Sequence, residues 1–256
     1  MFKAIRIILL LCVLIFIGLS AYSLDASLRD WGKTKWVVVY PINGDGSKAA
    51  SKYIANLKAS DFEKMQNFLN RAASDYGVNL SETFKINLGP TLQELPPAAP
   101  QRGPWYENVW WSLKLRLWAS NIEGSVDGPP ADIKIYVEYY DPAMYAELPH
   151  SVGMKKLSLA VVKAFASRKM THSNNIIMSH ELLHVFGASD KYDMETTLPI
   201  FPEGYAEPEK QPLHPQRKAE IMGGRIPKSE SEAEIPSSFK YVVIGEVTAK
   251  EIGWIE

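Results

Sequence analysis

Two histidines and a glutamate near position 180 have the types and the spacing needed to bind a metal ion. His180 and His184 are four residues apart, so on a helix both imidazoles project from one face about one turn apart. That arrangement suits two corners of a tetrahedral zinc site. Glu181 follows the first histidine, where a carboxylate can reach a metal-bound water without ligating the metal. The pattern indicates zinc-dependent hydrolysis; the plainer interpretation is a helix with two hydrogen-bonded histidines.

A glycine and an aspartate extend the pattern beyond the helix. Because Gly187 lacks a Cβ, it can adopt the left-handed conformation that ends a helix and turns the chain back sharply. Asp190 follows that turn and could supply a third ligand. Three protein ligands leave the fourth position of a tetrahedral site open for water, which is the catalytic rather than the structural arrangement.

The string H-E-x-x-H-x-x-G-x-x-D over residues 180–190 resembles the metzincin clan of zinc peptidases, whose usual third ligand is histidine. An aspartate at that place is similar to the snapalysin-type variant, and D-x-Y-D over 190–193 is similar to immune-inhibitor-A-type peptidases. The resemblance implies an α+β fold, with a twisted mixed sheet, helices that include the active-site helix, and a small irregular C-terminal lobe. It also implies a zinc metalloendopeptidase that binds Zn²⁺ through the two histidines and the aspartate, with Glu181 as general base.

A second match lies at Met222, in a Met-Gly-Gly turn that resembles the Met-turn which metzincins place beneath the metal. The alternative is an ordinary turn. Some metzincins have a tyrosine shortly after this methionine that helps to bind the oxyanion, but here Gly224 and Arg225 hold those places. Oxyanion stabilisation would then come from Tyr192, Tyr205, Arg225 or zinc alone. Asp193 could orient a metal ligand or could only cap a turn.

Three other side chains are alternative candidates for the third ligand. A thermolysin-like site takes a glutamate from a second helix roughly twenty residues downstream. Glu203 and Glu207 lie at suitable distances, but the stretch 194–220 holds five prolines, which disfavour long helices. His214 is separated from the motif by this same long loop. Asp190 is therefore the favoured third ligand.

Two other functions fit the same residues. The first is a non-catalytic envelope binding domain with a structural or vestigial zinc site. The sequence counts against it, because structural zinc sites usually have four protein ligands and an intact Glu181 is superfluous to binding. The second is a zinc hydrolase of a non-peptide substrate, which nothing in the chain excludes.

The N-terminus has the features of an export signal. Lys3 and Arg6 precede the apolar run Ile7–Leu19, and residues 21–23 give the small-x-small pattern of a signal-peptidase site. A cleaved signal is favoured over a membrane anchor through residues 7–22. In both cases we expect the domain to be exported, in the periplasm or the medium.

Composition and polarity divide the rest of the chain. The polar, mixed stretch 24–34 predicts a linker, followed by a zinc-peptidase-like domain over 35–256 with an upper lobe (35–188) and a lower lobe (189–256). The net charge of −1 gives no basic excess for nucleic acid, which leaves a peptide or protein as the expected partner. Cys12 is the only cysteine and lies in the apolar run, so the domain has neither a disulfide nor a thiolate zinc site.

Hydrophobic patterns predict the elements that position the site. Strands are expected at 36–41, 83–88 and 132–140, with a helix at about 60–76 between the first two, which gives a parallel pair. Residues 106–121 fit a helix or a strand; we favour a helix. Their aromatic side chains are expected in core and subdomain packing, with a ligand platform as the alternative.

The elements around the motif follow from the same patterns. Residues 157–167 are predicted to form a strand directly before the zinc helix. The metzincin resemblance makes 160–166 the antiparallel edge strand that binds extended substrate, whereas the plain alternative is an interior strand. Ser173, Asn174 and Asn175 are expected to cap a helix that ends near Phe186 and buries Ile177. A short helix is predicted at 248–254.

Overall fold

The computed structural model describes residues 2–100 and 104–256 and is built around one five-stranded sheet. The strands are β1 (Lys35–Asn43), β2 (Phe84–Leu88), β3 (Ile133–Tyr140), β4 (Val152–Met154) and β5 (Leu159–Phe165). The strand order is β2-β1-β3-β5-β4; the first four of these are parallel, and β4 is antiparallel to β5. The protein is thus mixed α/β with a mostly parallel sheet, consistent with the predicted α+β class.

Helices cover both faces of the sheet. The helices are α1 (Phe2–Arg29), α2 (Lys48–Ala55), α3 (Glu63–Asp75), α4 (Trp105–Ser125), α5 (Thr171–Phe186) and α6 (Glu246–Glu251). Alternate residues of β1 and β3, such as Val37 and Ile135, face a core shared with α2, α3 and α5. The residues between them, such as Tyr136, face a second core shared with α4. In that second core the Trp118 ring of α4 packs edge-on against Tyr136 at 4.7 Å.

Most predicted elements are confirmed, but the edge of the sheet is not the strand that was expected. β5 lies between β3 and β4, so the assignment of 160–166 as the edge strand is wrong and the interior alternative is right. The edge is β4, which is only three residues long and contains Gly153. So short a strand leaves no period-two pattern in the sequence.

Helix α5, which carries the two motif histidines, and its cap also differ from the prediction. α5 begins at Thr171 rather than after Asn175, because Asn174 bonds the backbone of Phe165 and Asn175 bonds the carbonyl of Asp61 instead of capping the helix. Ile177, predicted to be buried, is 39% exposed. Helix α2 was not foreseen from the sequence.

Helix α1 continues beyond the apolar run into the segment expected to be a linker. Residues 24–29 are helical, Leu28 is buried, and Trp31 packs against Phe186 at 4.8 Å and against Trp254 at 5.8 Å. The spacing of Leu24, Leu28 and Trp31 follows a helical period, which turns one side of this polar stretch toward the core. Residues 24–34 are therefore a packed strap rather than a free spacer. Within the described residues, no helix combines the length and apolar character needed to cross a membrane.

Residues 189–256, which the sequence assigned to a lower lobe, are largely irregular. Their strands are two-residue pairs: β6 (Ala219–Glu220) with β9 (Val242–Val243), and β7 (Ile226–Pro227) with β8 (Ala233–Glu234). The lobe ends in α6, close to the predicted helix. Ile252 and Trp254 after α6 are buried, so the C-terminus packs into the main core.

Candidate metal centre

Helix α5 holds the two motif histidines in a largely buried position. Leu182, Leu183 and Val185 are fully buried around them, while the His180 and His184 side chains remain 12% and 17% exposed. Solvent therefore reaches the imidazoles although the helix that carries them lies in the core.

Gly187 ends α5 in the way its sequence position indicates. Its φ of 111° is in the left-handed region, and its N–H donates to the carbonyls of Leu183 (3.1 Å) and His184 (3.0 Å). The chain then turns back, which brings Asp190 to the histidines.

Three side-chain atoms converge at this turn. The Nε2 atoms of His180 and His184 lie 3.1 Å apart, and each is 3.1 Å from Oδ1 of Asp190. Ligands of a tetrahedral zinc ion at about 2.0–2.1 Å are separated by about 3.3 Å, so this triangle fits such an ion with little adjustment. Two imidazole nitrogens and one carboxylate oxygen are also donor types that zinc accepts.

Backbone carbonyls fix the orientation of both imidazoles. His180 Nδ1 lies 2.9 Å from the carbonyl oxygen of Ile221, and His184 Nδ1 lies 2.7 Å from that of Ala188. A carbonyl can only accept, so each Nδ1 carries a proton, and each Nε2, which faces Asp190, is the nitrogen that can bind a metal ion once it is deprotonated. This is the usual outer support of metal-binding histidines.

The electrostatics of the group reflect the close approach of unlike charges. Burial lowers the pKa of His180, but the hydrogen bond to Asp190, the Glu181 charge and the Ile221 carbonyl outweigh burial and raise it. Burial likewise raises the pKa of Asp190, yet hydrogen bonds from both histidines hold it well below its usual range. Asp190 is thus an anion that attracts positive charge to this point.

Glu181 is buried beside the triangle and is kept near the edge strand. Its side-chain pKa is raised by burial, although the neighbouring histidines and the Gly153 N–H oppose the shift. Gly153 of β4 packs so closely on α5 that a Cβ there would lie 2.1 Å from the Glu181 carbonyl oxygen. A carboxylate with a raised pKa, held beside a metal site, is suited to accept and return a proton.

The turn at Met222 contacts His180 and the segment next to Asp190. Met222 is fully buried, its carbonyl accepts from the Lys191 N–H at 2.9 Å, and the preceding Ile221 carbonyl orients His180. The backbone of this turn therefore connects the motif helix with the residue that follows Asp190.

A buried carboxylate that sequence reasoning missed shapes this turn. Glu220 is fully buried, and its Oε2 accepts from the N–H groups of Met222 (2.6 Å) and Gly223 (2.9 Å). Its Oε1 accepts from the Gly245 N–H (3.0 Å) and the Thr248 hydroxyl (2.7 Å), which ties the turn to α6. Burial raises the pKa of Glu220, and these donors oppose the rise.

A second link from α6 supports the segment that carries Asp190. Glu251 accepts from the Ser189 N–H (3.1 Å) and hydroxyl and from Nζ of Lys191 (2.6 Å), which is 2% exposed. The residues on both sides of Asp190 are therefore fixed to the C-terminal helix. No local sequence pattern indicates this link, because Ser189 and Glu251 are 62 residues apart in the chain.

The other predicted site residues are divided between the centre and its surroundings. The Tyr192 ring lies 6.3 Å from that of His180, and burial, Asp190 and Glu181 raise the pKa of its hydroxyl to about 12. The Tyr205 hydroxyl instead pairs with His214 at 3.1 Å. Arg225 lines a separate polar cavity with Thr197 and Leu198.

The remaining alternatives for the third ligand lie outside the triangle. In the described residues, the group able to hold a metal consists of His180, His184 and Asp190, without Glu203, Glu207 or His214. Glu207 accepts from the Arg217 N–H at 3.2 Å. Asp193 accepts from the N–H groups of Glu195 and Thr196, so it caps its own turn.

Comparison with known proteins does not place the chain in a family. No family model and no curated protein matches it. Among solved structures, the chain is similar to one described as the structure of a chaperone-substrate complex, at 14% identity and a TM-score of 0.42. That match covers 86% of this chain but only 33% of the other.

Proposed function

We propose that the chain is an exported zinc metalloendopeptidase that hydrolyses peptide bonds in a protein or peptide substrate. The observation that carries the proposal is the triangle of His180 Nε2, His184 Nε2 and Asp190 Oδ1, each pair 3.1 Å apart. The buried Glu181 next to this triangle and the open side of a three-ligand site support hydrolysis over a structural metal.

Each residue has a distinct role in the proposed reaction. Zinc on the three ligands would supply a Lewis acid and lower the pKa of a water molecule. The Glu181 carboxylate takes the proton from the attacking water and passes it to the leaving amine. Its raised pKa favours holding that proton between the two steps. The Ile221 and Ala188 carbonyls keep the imidazoles aligned throughout.

Tyr192 is the preferred side chain for oxyanion stabilisation. Its ring adjoins His180, and a pKa of about 12 keeps its hydroxyl protonated at neutral pH, so it can donate to a developing negative charge. Tyr205 is less suited because its hydroxyl is paired with His214, and Arg225 is directed to another cavity.

The proposal is tested by metal content and cleavage in the same protein. We expect the full-length chain to bind about one zinc per molecule by elemental mass spectrometry. It should also cleave members of a peptide library. Glu181→Gln should retain the zinc and lose at least about 100-fold in kcat/KM, because the proton acceptor is removed and the ligands are intact.

Two other outcomes would replace the proposal. Zinc binding without cleavage of any peptide, but with ester or amide hydrolysis that depends on Glu181, would indicate a hydrolase of non-peptide substrates. A folded protein that binds zinc without any Glu181-dependent reaction, or that binds none after supplementation, would favour the non-catalytic binding domain.

A further inference from the structure

Helix α4 is apolar on two opposite faces. One face packs on the sheet through Leu115, Trp118, Ala119 and Ile122, which are all buried. The opposite face forms a stripe about 18 Å long. Each of its six large side chains is at least 46% exposed: Trp105, Tyr106, Val109, Trp110, Leu113 and Leu117.

This stripe corrects the expectation that the aromatic cluster lies in the core. Trp118 is buried and Trp111 is half-buried, with its Nε1 donating to the Pro97 carbonyl at 2.8 Å. Trp105 and Trp110, however, are 76% and 63% exposed. A contiguous exposed apolar surface of this kind marks a site of interaction with another molecule or a membrane.

Positive charge borders the stripe. Lys114 and Arg116 lie on either side of it in the helical projection, and Nη2 of Arg116 donates to the Lys156 carbonyl at 3.3 Å, which brings Lys156 close. In the described ranges 2–100 and 104–256, no carboxylate forms an ion pair with any of these three cations. Glu107 is the acid in the first turn of α4, near the N-terminal end of the stripe, and Glu123 farther along is paired with Lys134.

The end of a second exposed apolar helix approaches the same place. Asp25 of α1 pairs with Lys155 at 2.5 Å, next to the residue that Arg116 contacts. Earlier in α1, Leu10, Leu19 and Tyr22 are each at least 64% exposed. Segment 155–156 therefore connects the C-terminal end of α1 with the middle of α4.

We infer that the exposed stripe of α4 lies in the surface of a lipid bilayer containing anionic headgroups. Tryptophan and tyrosine favour the boundary between headgroups and acyl chains, leucines reach below it, and the bordering cations meet lipid phosphates. A second copy of the chain fits less well, because a two-fold pair formed on this stripe would bring the same cations together. The inference is independent of peptide hydrolysis.

Tryptophan quenching by brominated lipids tests this inference, because α1 contains no tryptophan and α4 presents two. We expect emission from the full-length protein in vesicles of brominated phosphatidylcholine with phosphatidylglycerol to be quenched relative to unbrominated vesicles. Quenching should fall by about fivefold or more in Leu113→Glu/Leu117→Glu, since two charges in the stripe oppose insertion. Met194→Glu/Ile235→Glu, at exposed apolar positions of the lower lobe, is the matched control and should behave as wild type.

Two further measurements separate charge, folding and self-association. Lys114→Glu should reduce quenching in anionic vesicles and leave it unchanged in pure phosphatidylcholine. Trp110→Phe, a conservative change that keeps the stripe apolar, should remove part of the quenchable emission even if the double variant fails to fold.

Unquenched wild-type protein would overturn the inference, as would a Leu113→Glu/Leu117→Glu variant that is folded by circular dichroism yet quenched as fully as wild type. Concentration-dependent dimers that shield the tryptophans from lipid would assign the stripe to a second copy instead.

Discussion

At the scale of single residues, the third ligand determines the charge of the proposed zinc site. Two neutral imidazoles and the Asp190 carboxylate would leave a net charge of +1 on a zinc centre, where a third histidine would leave +2. The site should therefore be less electrophilic than one with three histidines. The outer contacts of the imidazoles go to backbone carbonyls, so they do not add further charge.

Asp190→Asn should weaken zinc binding by more than about 100-fold, because removal of outer-shell partners already costs about 10–100-fold and this change removes a ligand. Asp193→Asn is the matched control: its carboxylate caps its own turn, so the zinc affinity should remain within about threefold of wild type. Competition with a chromophoric chelator measures both constants. Equal zinc affinities in the two variants would remove Asp190 from the ligand set.

At the scale of elements, the candidate site depends on how closely the edge strand β4 approaches α5. β4 lies directly against α5, and the absence of a side chain at Gly153 allows its N–H to approach the Glu181 carboxylate. A three-residue strand makes few contacts of its own. Its position is therefore fixed by pairing with β5 on one side and by this contact on the other.

Gly153→Ala should destabilise the fold by about 1–3 kcal/mol, because the added Cβ would meet the Glu181 carbonyl and the His184 side chain. It should also lower any Glu181-dependent hydrolysis. Gly124→Ala near the end of α4 meets nothing within 4 Å and should instead stabilise by about 0.5–1 kcal/mol. Urea unfolding followed by circular dichroism measures both. A Gly153→Ala protein as stable as wild type would mean that β4 can move away from α5 without cost.

The same elements show what the sequence could and could not predict. Hydrophobic patterns predicted β1 and β3 to within a few residues, whereas the pattern over 106–121 fitted a strand as well as the helix α4 that forms there. His180, His184 and Asp190 were brought together by a helix spacing and a glycine turn, which are both local features. β4, Glu220 and Glu251 were missed, because their roles depend on contacts with residues that are distant in the sequence.

At the scale of the whole molecule, residues 24–34 and the C-terminal segment both pack near the end of α5. Trp31 contacts Phe84, Phe186 and Trp254, and its Nε1 donates to the Ile252 carbonyl at 3.0 Å. The strap before β1 thus fills the space between the last turn of α5 and the C-terminal segment. If the predicted export signal is cleaved after residue 23, residues 24–34 remain attached to the domain.

Trp31→Ala should lower the free energy of unfolding by about 2–4 kcal/mol, because it leaves a cavity between three aromatic rings and removes a hydrogen bond. Trp36→Ala, at a position that is 44% exposed, should cost less than about 1 kcal/mol. Chemical denaturation of both variants checks the difference. Similar losses would show that residues 24–34 act as a spacer after all.

The attachment of α6 has a consequence for how such an enzyme would be inactivated. Glu220 connects the Met222 turn to the start of α6, and Glu251 at its end holds the residues on both sides of Asp190. A protease that removed the segment from Gly245 onward would release both supports while leaving every ligand in the chain. A single proteolytic cleavage near the C-terminus would therefore inactivate the proposed peptidase irreversibly.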